Sequence, residues 1–471
     1  MKTNLLVLLL LLCSFQLEIK GQQTTSQRPD INILPIPVSM KVNSGHFSLN
    51  AAVSFAIPAA NDSIREIAAL FAKQLSLTTG YPFSIIQGGS KQKNSIHLVI
   101  NKGSKEADKI IGAEGYHLDV QSQQITISAN NAAGIFYGMN TLMQLLPPGI
   151  EGETKMVTTN PEGWHIPCVR IEDYPRFGWR GLMLDVSRHF FSKTAVKAFI
   201  DQMAKYKFNT FHWHLADDQG WRIEIKGLPA LTEIGAWRVP RTGRWGSFQA
   251  PQPGEKATDG GFYTQDDIRE ILKYAADRFI TVVPEIDVPA HSLALIAAYP
   301  NLSCTGLPYP VNPGSNFYKK EDNVLCVAND STWKMLDIIF TQIAALFPNK
   351  YIHVGGDEAY KGFWNKCPKD QVLMKTEGIT SLDGLQSYFE KKLEKLIISK
   401  GKKMIGWDEI LEGGLAPEAT VMSWRGMEGG IKAAKMGHEV VMTPSNFVYL
   451  DLYQGDPHVE PPTYSKLLLN T

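Results

Sequence analysis

From Arg180 onward, short apolar runs alternate with amphipathic stretches, and this rhythm restricts the possible folds more than any other feature of the chain. The apolar runs fall at 181–186, 210–215, 281–286, 351–354, 403–407, 421–424 and 439–442. Between them, 192–207, 264–278, 331–346 and 381–400 carry apolar residues at helical spacing, and each opens on a Ser or Thr able to cap a helix. Parallel strands need a crossover between them, normally a helix, so this order predicts an α/β fold of parallel β/α units. A run of such length predicts a (β/α)8 barrel of TIM type, whose chemistry sits at the C-terminal strand ends. Seven strands are read before Thr471. The expectation is therefore a barrel lacking its eighth unit, with two open sheet edges.

Upstream, strands at 46–50, 95–100 and 124–128 and amphipathic helices at 62–77 and 131–146 predict a small α+β domain over 30–160. Pro147-Pro148-Gly149 and the polar stretch to Pro161 mark its exit. A hairpin-like segment with Trp164 and Val169 then leads into the barrel, expected over 165–471. The first 21 residues read as a signal peptide: Met1-Lys2, then an apolar run from Leu5 to Leu12 too short to span a bilayer, with Gly21 before the cleavage point. Export to the periplasm or the extracellular space is expected. Cys13 leaves a lipoprotein anchor as the alternative, although Leu12 is large where a lipobox wants a small residue. No other stretch is long and apolar enough to predict a membrane span.

Lys plus Arg and Asp plus Glu each number 47, so no global field draws the chain to nucleic acid or to an anionic membrane. In an exported chain, Cys304 and Cys326 flank a Pro/Gly/Asn-rich loop and are expected to pair as a disulfide; free buried thiols are the alternative. There is no C-x-x-C, which argues against a zinc ribbon or redox motif, and no metal or cofactor is expected.

Polar residues gather just after the strands: Asp185 and Arg188; Asp217-Asp218; Glu285 and Asp287 with His291; Asp357-Glu358; Trp407-Asp408-Glu409; Trp424-Arg425; Tyr449 with Asp451. The most specific string is His353-Val-Gly-Gly-Asp-Glu358. Two glycines after a buried strand let a ligand approach the backbone, and adjacent carboxylates can split into one protonated and one ionised group. That division is what cleavage of a glycosidic bond requires.

The strings Arg180-Gly-Leu-Met-Leu-Asp-Val-Ser-Arg-His189, Phe211-His-Trp-His-Leu-Ala-Asp-Asp-Gln-Gly-Trp221, Val283-Pro-Glu-Ile-Asp-Val-Pro-Ala-His291 and the Gly-Gly-Asp-Glu motif resemble the family 20 glycoside hydrolases, the β-N-acetylhexosaminidases. The resemblance implies substrate-assisted hydrolysis, with retention, of terminal GlcNAc or GalNAc residues of oligosaccharides or glycoconjugates. By it, Glu358 is the general acid and then base, Asp357 positions the substrate's acetamido group, and Tyr449 donates to the acetamido carbonyl oxygen. Arg188 and Asp451 match residues that bind sugar hydroxyls, and Trp407 and Trp424 match walls around the acetamido methyl, a role suited to indole faces. Asp217 and His291 match partners that orient the arginine and the acids. The family's eighth strand adds a further Trp and Glu to the sugar site, and no residues follow Thr471 to supply them. Two rival readings stand beside this one. His212-Trp-His214 puts two imidazoles on one side of a strand, as in a metal-dependent barrel hydrolase; a missing strand would suit a catalytically silent glycan-binding protein.

Overall fold

The computed structural model describes residues 31–460 apart from 60, 89–92, 102–105, 153, 157–162, 243–247 and 316–318. The leader expected over 1–21, with Cys13 and Gly21, lies outside the described residues. The chain divides into two units, Met1–Tyr174 and Pro175–Thr471.

In the first unit β1 (Ser39–Leu49), β2 (Ser54–Ile57), β3 (Ser84–Gln87), β4 (Ser95–Ile100), β5 (Tyr116–Gln121), β6 (Gln124–Ala129) and β7 (Trp164–Asp173) form one mixed sheet in the order β1-β7-β5-β6-β4-β2-β3. Helix Asp62–Thr79 packs on β2 and β3, and helix Ala132–Gln144 on β5 and β6. The first of these starts where Asn61 accepts the Ile64 N–H at 3.1 Å and stops at Gly80, φ 73°. It buries Ile64, Ile67, Phe71 and Leu75, one stripe at helical spacing, each side chain contributing about 1.5–3 kcal/mol. The α+β reading of this region holds, but its end moves. The segment at 164–173 is no hairpin: it is one strand that pairs antiparallel with β1 and with β5, so it belongs to the first sheet.

In the second unit β8 (Gly181–Asp185), β9 (Thr210–His214), β10 (Thr281–Glu285), β11 (Tyr351–His353), β12 (Lys403–Trp407), β13 (Thr420–Ser423) and β14 (Val440–Met442) form a curled parallel sheet of TIM-barrel type, in chain order. All seven expected strands are present, each within a residue or two of the predicted bounds. Val283, Ile405, Trp407 and Met422 are buried together against it, with Trp179, Tyr351, Trp424 and Val441 packed around them. The crossover helices are capped largely as expected: Ser192 accepts the Ala195 N–H, Thr264 forms a capping box with Asp267, and Ser381 accepts the Gly384 N–H. The helix Asp330–Leu346 is capped by Asn329 instead of Ser331. Register puts Asp185 beside His214, His214 beside Glu285, and Glu285 beside His353, so four polar side chains share one level at the C-terminal strand ends.

Candidate active site

The turn after β11 determines where the two carboxylates stand. Gly355 and Gly356 have φ of 71° and 91°, and Glu358 itself sits at 48°, so three residues in four adopt left-handed backbone. The glycines are needed sterically as well. A Cβ on Gly355 would overlap the Asp287 carboxylate oxygen and lie 3.0 Å from the Asp287 Cα; one on Gly356 would lie 2.6 Å from Ile410 Cγ2. A neighbouring strand and helix fix the turn, since the Trp407 N–H donates to the Gly355 carbonyl at 2.8 Å and Gln386 Nε2, on the helix Leu382–Ser399, to the Gly356 carbonyl at 2.7 Å.

His291 links the pair to the rest of the site. Its Nε2 lies 3.4 Å from both Asp357 Oδ2 and Glu358 Oε2, and its Nδ1 lies 3.2 Å from both Asp217 and Asp218. Burial opposes a charge on this imidazole, but Asp217 and Asp357 outweigh it and hold the pKa well above the histidine range. Asp217 is in turn held low: burial would raise it, and Arg188 and His291 reverse the sign. Arg188 is fixed on three sides, by Asp217 at 2.7 Å, Asp185 at 2.9 Å and Gln219 at 3.1 Å. Asp218 receives the Leu293 N–H at 2.9 Å and the Asn323 amide at 3.1 Å, which anchors the segment carrying His291.

The two carboxylates differ sharply in setting. Asp357 is 15% exposed in its side chain, and Oδ1 is buried without a hydrogen bond from any described group; Glu358 is 50% exposed. Burial pushes the Asp357 carboxyl up, with His291 opposing and Glu285, Asp217 and Glu358 adding to the rise. Glu358 goes the other way, drawn below the usual glutamate value chiefly by its bond to His291. The split expected of neighbouring acids is present, but in the free site the raised member is Asp357. His291, its pKa held well above the histidine range, lies 3.4 Å from Glu358, whose side chain is half-exposed.

Beneath them, Glu285 acts as a hub that sequence reasoning placed in the cluster without a role. Its oxygens meet His212 at 2.7 Å, His214 at 2.6 Å, His353 at 3.1 Å and the Trp407 indole N–H at 2.9 Å. Burial alone would raise this carboxyl; His214, His353 and His212 hold it well below the glutamate range. The two imidazoles that suggested a metal both lie against this buried carboxylate. His212, Glu285 and His353 are close enough to hold a cation, while the Trp407 indole N–H donates to the Glu285 carboxylate at 2.9 Å and His353 Nδ1 accepts the Gly355 N–H. Trp424 donates to Glu409 at 3.0 Å, and Tyr449 stacks on it at 6.3 Å between ring centroids and 19° between planes. Burial and the nearby Asp357 push Glu409 up to about 7. Asp451 is exposed, within electrostatic reach of Arg188 and Asp185. The structure therefore joins Asp357, Glu358, His291, Asp217 and Arg188 in one network; Trp407 lies below it, and Trp424 and Tyr449 form a separate aromatic pair. Gln219 and Glu409 went unassigned in the sequence, because each acts through a side chain on another element, Arg188 and Trp424 respectively.

The expected Cys304–Cys326 disulfide is not formed. Both are thiols, as are Cys168 and Cys367. Cys304 Sγ turns to the Asp370 carboxylate at 3.0 Å, while Cys326 Sγ lies 3.7 Å from Cys367 Sγ.

A parallel β/α sheet with adjacent carboxylates on a Gly-Gly turn at its C-terminal edge fits the class of barrel glycoside hydrolases. The chain belongs to glycosyl hydrolase family 20: residues 177–470 match the family's catalytic domain and residues 30–174 its domain 2. A Beta-hexosaminidase of Porphyromonas gingivalis is 42% identical over 432 residues, 92% of this chain and 52% of that protein. One of Vibrio furnissii is 38% identical over 435 residues, 92% of this chain and 66% of that protein. The chain thus spans about half to two thirds of the length of these curated relatives. Among solved structures, the GH20 beta-N-acetylhexosaminidase of Streptomyces coelicolor A3(2) superposes with a TM-score of 0.74 at 31% identity, covering 90% of this chain and 77% of that one.

Proposed function

We propose that the chain removes terminal, non-reducing N-acetylhexosamine residues, GlcNAc or GalNAc, from β-glycosides with retention, using the substrate's own acetamide as nucleophile. The observation that carries this reading is the unequal setting of the two carboxylates around His291. Asp357 is the more buried one, 15% exposed, where its carboxylate can accept the acetamido N–H; Glu358 is the half-exposed one, where a leaving group can reach it. In the first step the acetamido carbonyl oxygen attacks C1, the C1–oxygen bond to the leaving group breaks, and Glu358 gives that oxygen its proton. The resulting oxazolinium carries positive charge beside Asp357. In the second step Glu358 takes a proton from water as the water oxygen bonds to C1, and the acetamide is restored. Arg188, locked by Asp185, Asp217 and Gln219, presents its remaining donor face to sugar hydroxyls, while Tyr449 and the indoles of Trp407 and Trp424 line the acetamide side. Glu358 must be protonated in the first step although His291 draws it low in the free site. A sugar lying over its exposed face removes water from the carboxylate and raises its pKa toward the working value.

An assay with a chromogenic β-N-acetylglucosaminide beside the matching β-glucoside tests this. Turnover of the first with none of the second, and strong inhibition by a thiazoline mimic of the cyclised intermediate, are expected. Equal cleavage of the two would remove the acetamide from the mechanism. We also propose export, on the apolar run from Leu5 to Leu12; N-terminal sequencing of the mature protein should begin at Gln22. Among the described residues no helix is long and apolar enough to cross a membrane.

A further inference from the structure

Away from the carboxylates, Cys304, Cys326, Cys367 and Asp370 bring three sulfurs and a carboxylate oxygen within 4.8 Å of one another. Cys326, Cys367 and Asp370 are all buried, the aspartate completely. The partners of that carboxylate are the Cys304 sulfur at 3.0 Å, the Cys326 sulfur at 3.5 Å and the Ala328 N–H at 2.8 Å, a neutral set around a group that is normally charged. A buried carboxylate beside three thiols is costly without a cation. The sulfur spacing points the same way. A disulfide needs about 2.05 Å, whereas the edge of a tetrahedron with metal–sulfur bonds of about 2.3 Å is about 3.8 Å; Cys326 and Cys367 stand 3.7 Å apart. Cys367 caps the helix Pro368–Thr376 and Asp370 lies three residues on, within its first turn, the two-residue gap familiar from paired zinc ligands.

We propose that Cys304, Cys326, Cys367 and Asp370 form a structural zinc site with an S3O donor set. Four protein ligands close the tetrahedron and leave no position for substrate, which separates this site from the carboxylate chemistry. Its place in the chain gives it a purpose. Cys304 and Cys326 bound the loop whose Asn323 holds Asp218, and Cys367 and Asp370 follow the turn that carries Asp357 and Glu358. The metal therefore ties the loop that steadies His291 to the segment just beyond the acids.

The test is elemental analysis of the purified, unchelated protein, combined with intact-mass measurement without reductant and with Co2+ titration of the chelator-treated chain. About one zinc per chain is expected, with no cross-linked cysteine peptides. Co2+ should give thiolate-to-metal charge-transfer absorption and the visible bands of a tetrahedral site, displaced by Zn2+. C367S and D370N should each lower zinc retention at least tenfold, and C168S, which is not among the clustered ligands, should leave it unchanged. Should C367S fail to fold, D370N and the cobalt spectrum still decide. A Cys304–Cys326 cross-link in metal-free protein overturns the proposal, as does an intact chain with three unmodified thiols that takes up neither Zn2+ nor Co2+.

Discussion

Gly355→Ala is the substitution whose effect the turn geometry defines best. Two costs add. At φ 71° an alanine meets the left-handed penalty of an L-residue, about 1–2 kcal/mol. Its Cβ also overlaps the Asp287 carboxylate and comes within 3.0 Å of the Asp287 Cα, so relief requires backbone and not only a side-chain rotation; overpacking of this kind adds about 1–3 kcal/mol. Gly401→Ala supplies the control, because Gly401 has φ 74° and nothing within 4 Å of a built Cβ. It should show the backbone penalty alone. Urea unfolding followed by tryptophan fluorescence suits the comparison, since nine of the ten tryptophans lie beyond Tyr174 and report the second unit. Gly355→Ala should lose about 1–3 kcal/mol more than Gly401→Ala. It should also lose about a hundredfold or more in kcat/KM, as expected when reacting groups shift by about an ångström, while Gly401→Ala keeps its activity. Equal destabilisation by the two alanines would refute the claim that the turn is packed against Asp287.

Glu358→Gln should slow glycosides with poor leaving groups by about 10²–10⁴-fold and activated aryl glycosides far less, because only the former need the proton in the first step; a uniform loss across a leaving-group series would contradict the acid role. If bound sugar raises the Glu358 pKa, the alkaline limb of kcat, which reports the complex, should lie at higher pH than that of kcat/KM, which reports free enzyme; coincident limbs would rule this out. Glu390 is fully buried, and burial pushes it up to about 8 against an ordinary 4.5, with Gln386 opposing. A raised folded-state pKa means its contribution is fully present below about pH 4.5 and is lost as pH rises through 8, on the order of 5 kcal/mol in all. Glu390→Gln should therefore flatten the fall in urea midpoint between pH 5 and 8, and an unchanged slope would place the titration elsewhere.

The strands of the second unit were legible because each reads as an apolar run, the inner ones largely buried and the edge strands β8 and β14 partly exposed, and the helices because each opens on a capping side chain. What stayed hidden was set by distant pairing. The segment at 164–173 carries Pro167 and looked like a hairpin, yet its partners are β1 and β5, up to about 130 residues away in sequence. The adjacent carboxylates were readable from local chemistry, glycines followed by acids. The charges around it were not: Glu358 is drawn low by His291, a residue 67 positions upstream, and His291 is charged only because Asp217 and Asp357 converge on it. The cysteines make the same point. Spacing picked out Cys304 and Cys326, but Cys367 and Asp370 reach them only in the fold.

Backbone strain at the site reveals what the fold holds in place there. Six described non-glycine residues have positive φ, among them Lys207 and Phe279, which end helices just before β9 and β10, a position where an ordinary helix stop suffices as explanation. His291 and Glu358, at 49° and 48°, are different, since each is the other's charge partner and neither ends a helix. Such backbone costs roughly 1–3 kcal/mol per residue and persists only where surrounding contacts enforce it. Here they do: the Asp218–Leu293 bond follows one residue, and the Gly-Gly turn precedes the other. Comparing two neutral replacements isolates the strain from the charge. Asparagine tolerates left-handed backbone and glutamine does not, so Glu358→Asn should unfold at higher urea than Glu358→Gln, by about 1 kcal/mol, with both equally unable to supply the proton. If the glutamine variant is the more stable, the left-handed turn at Glu358 is not strained, and the positions of His291 and Glu358 owe nothing to enforcement by the fold.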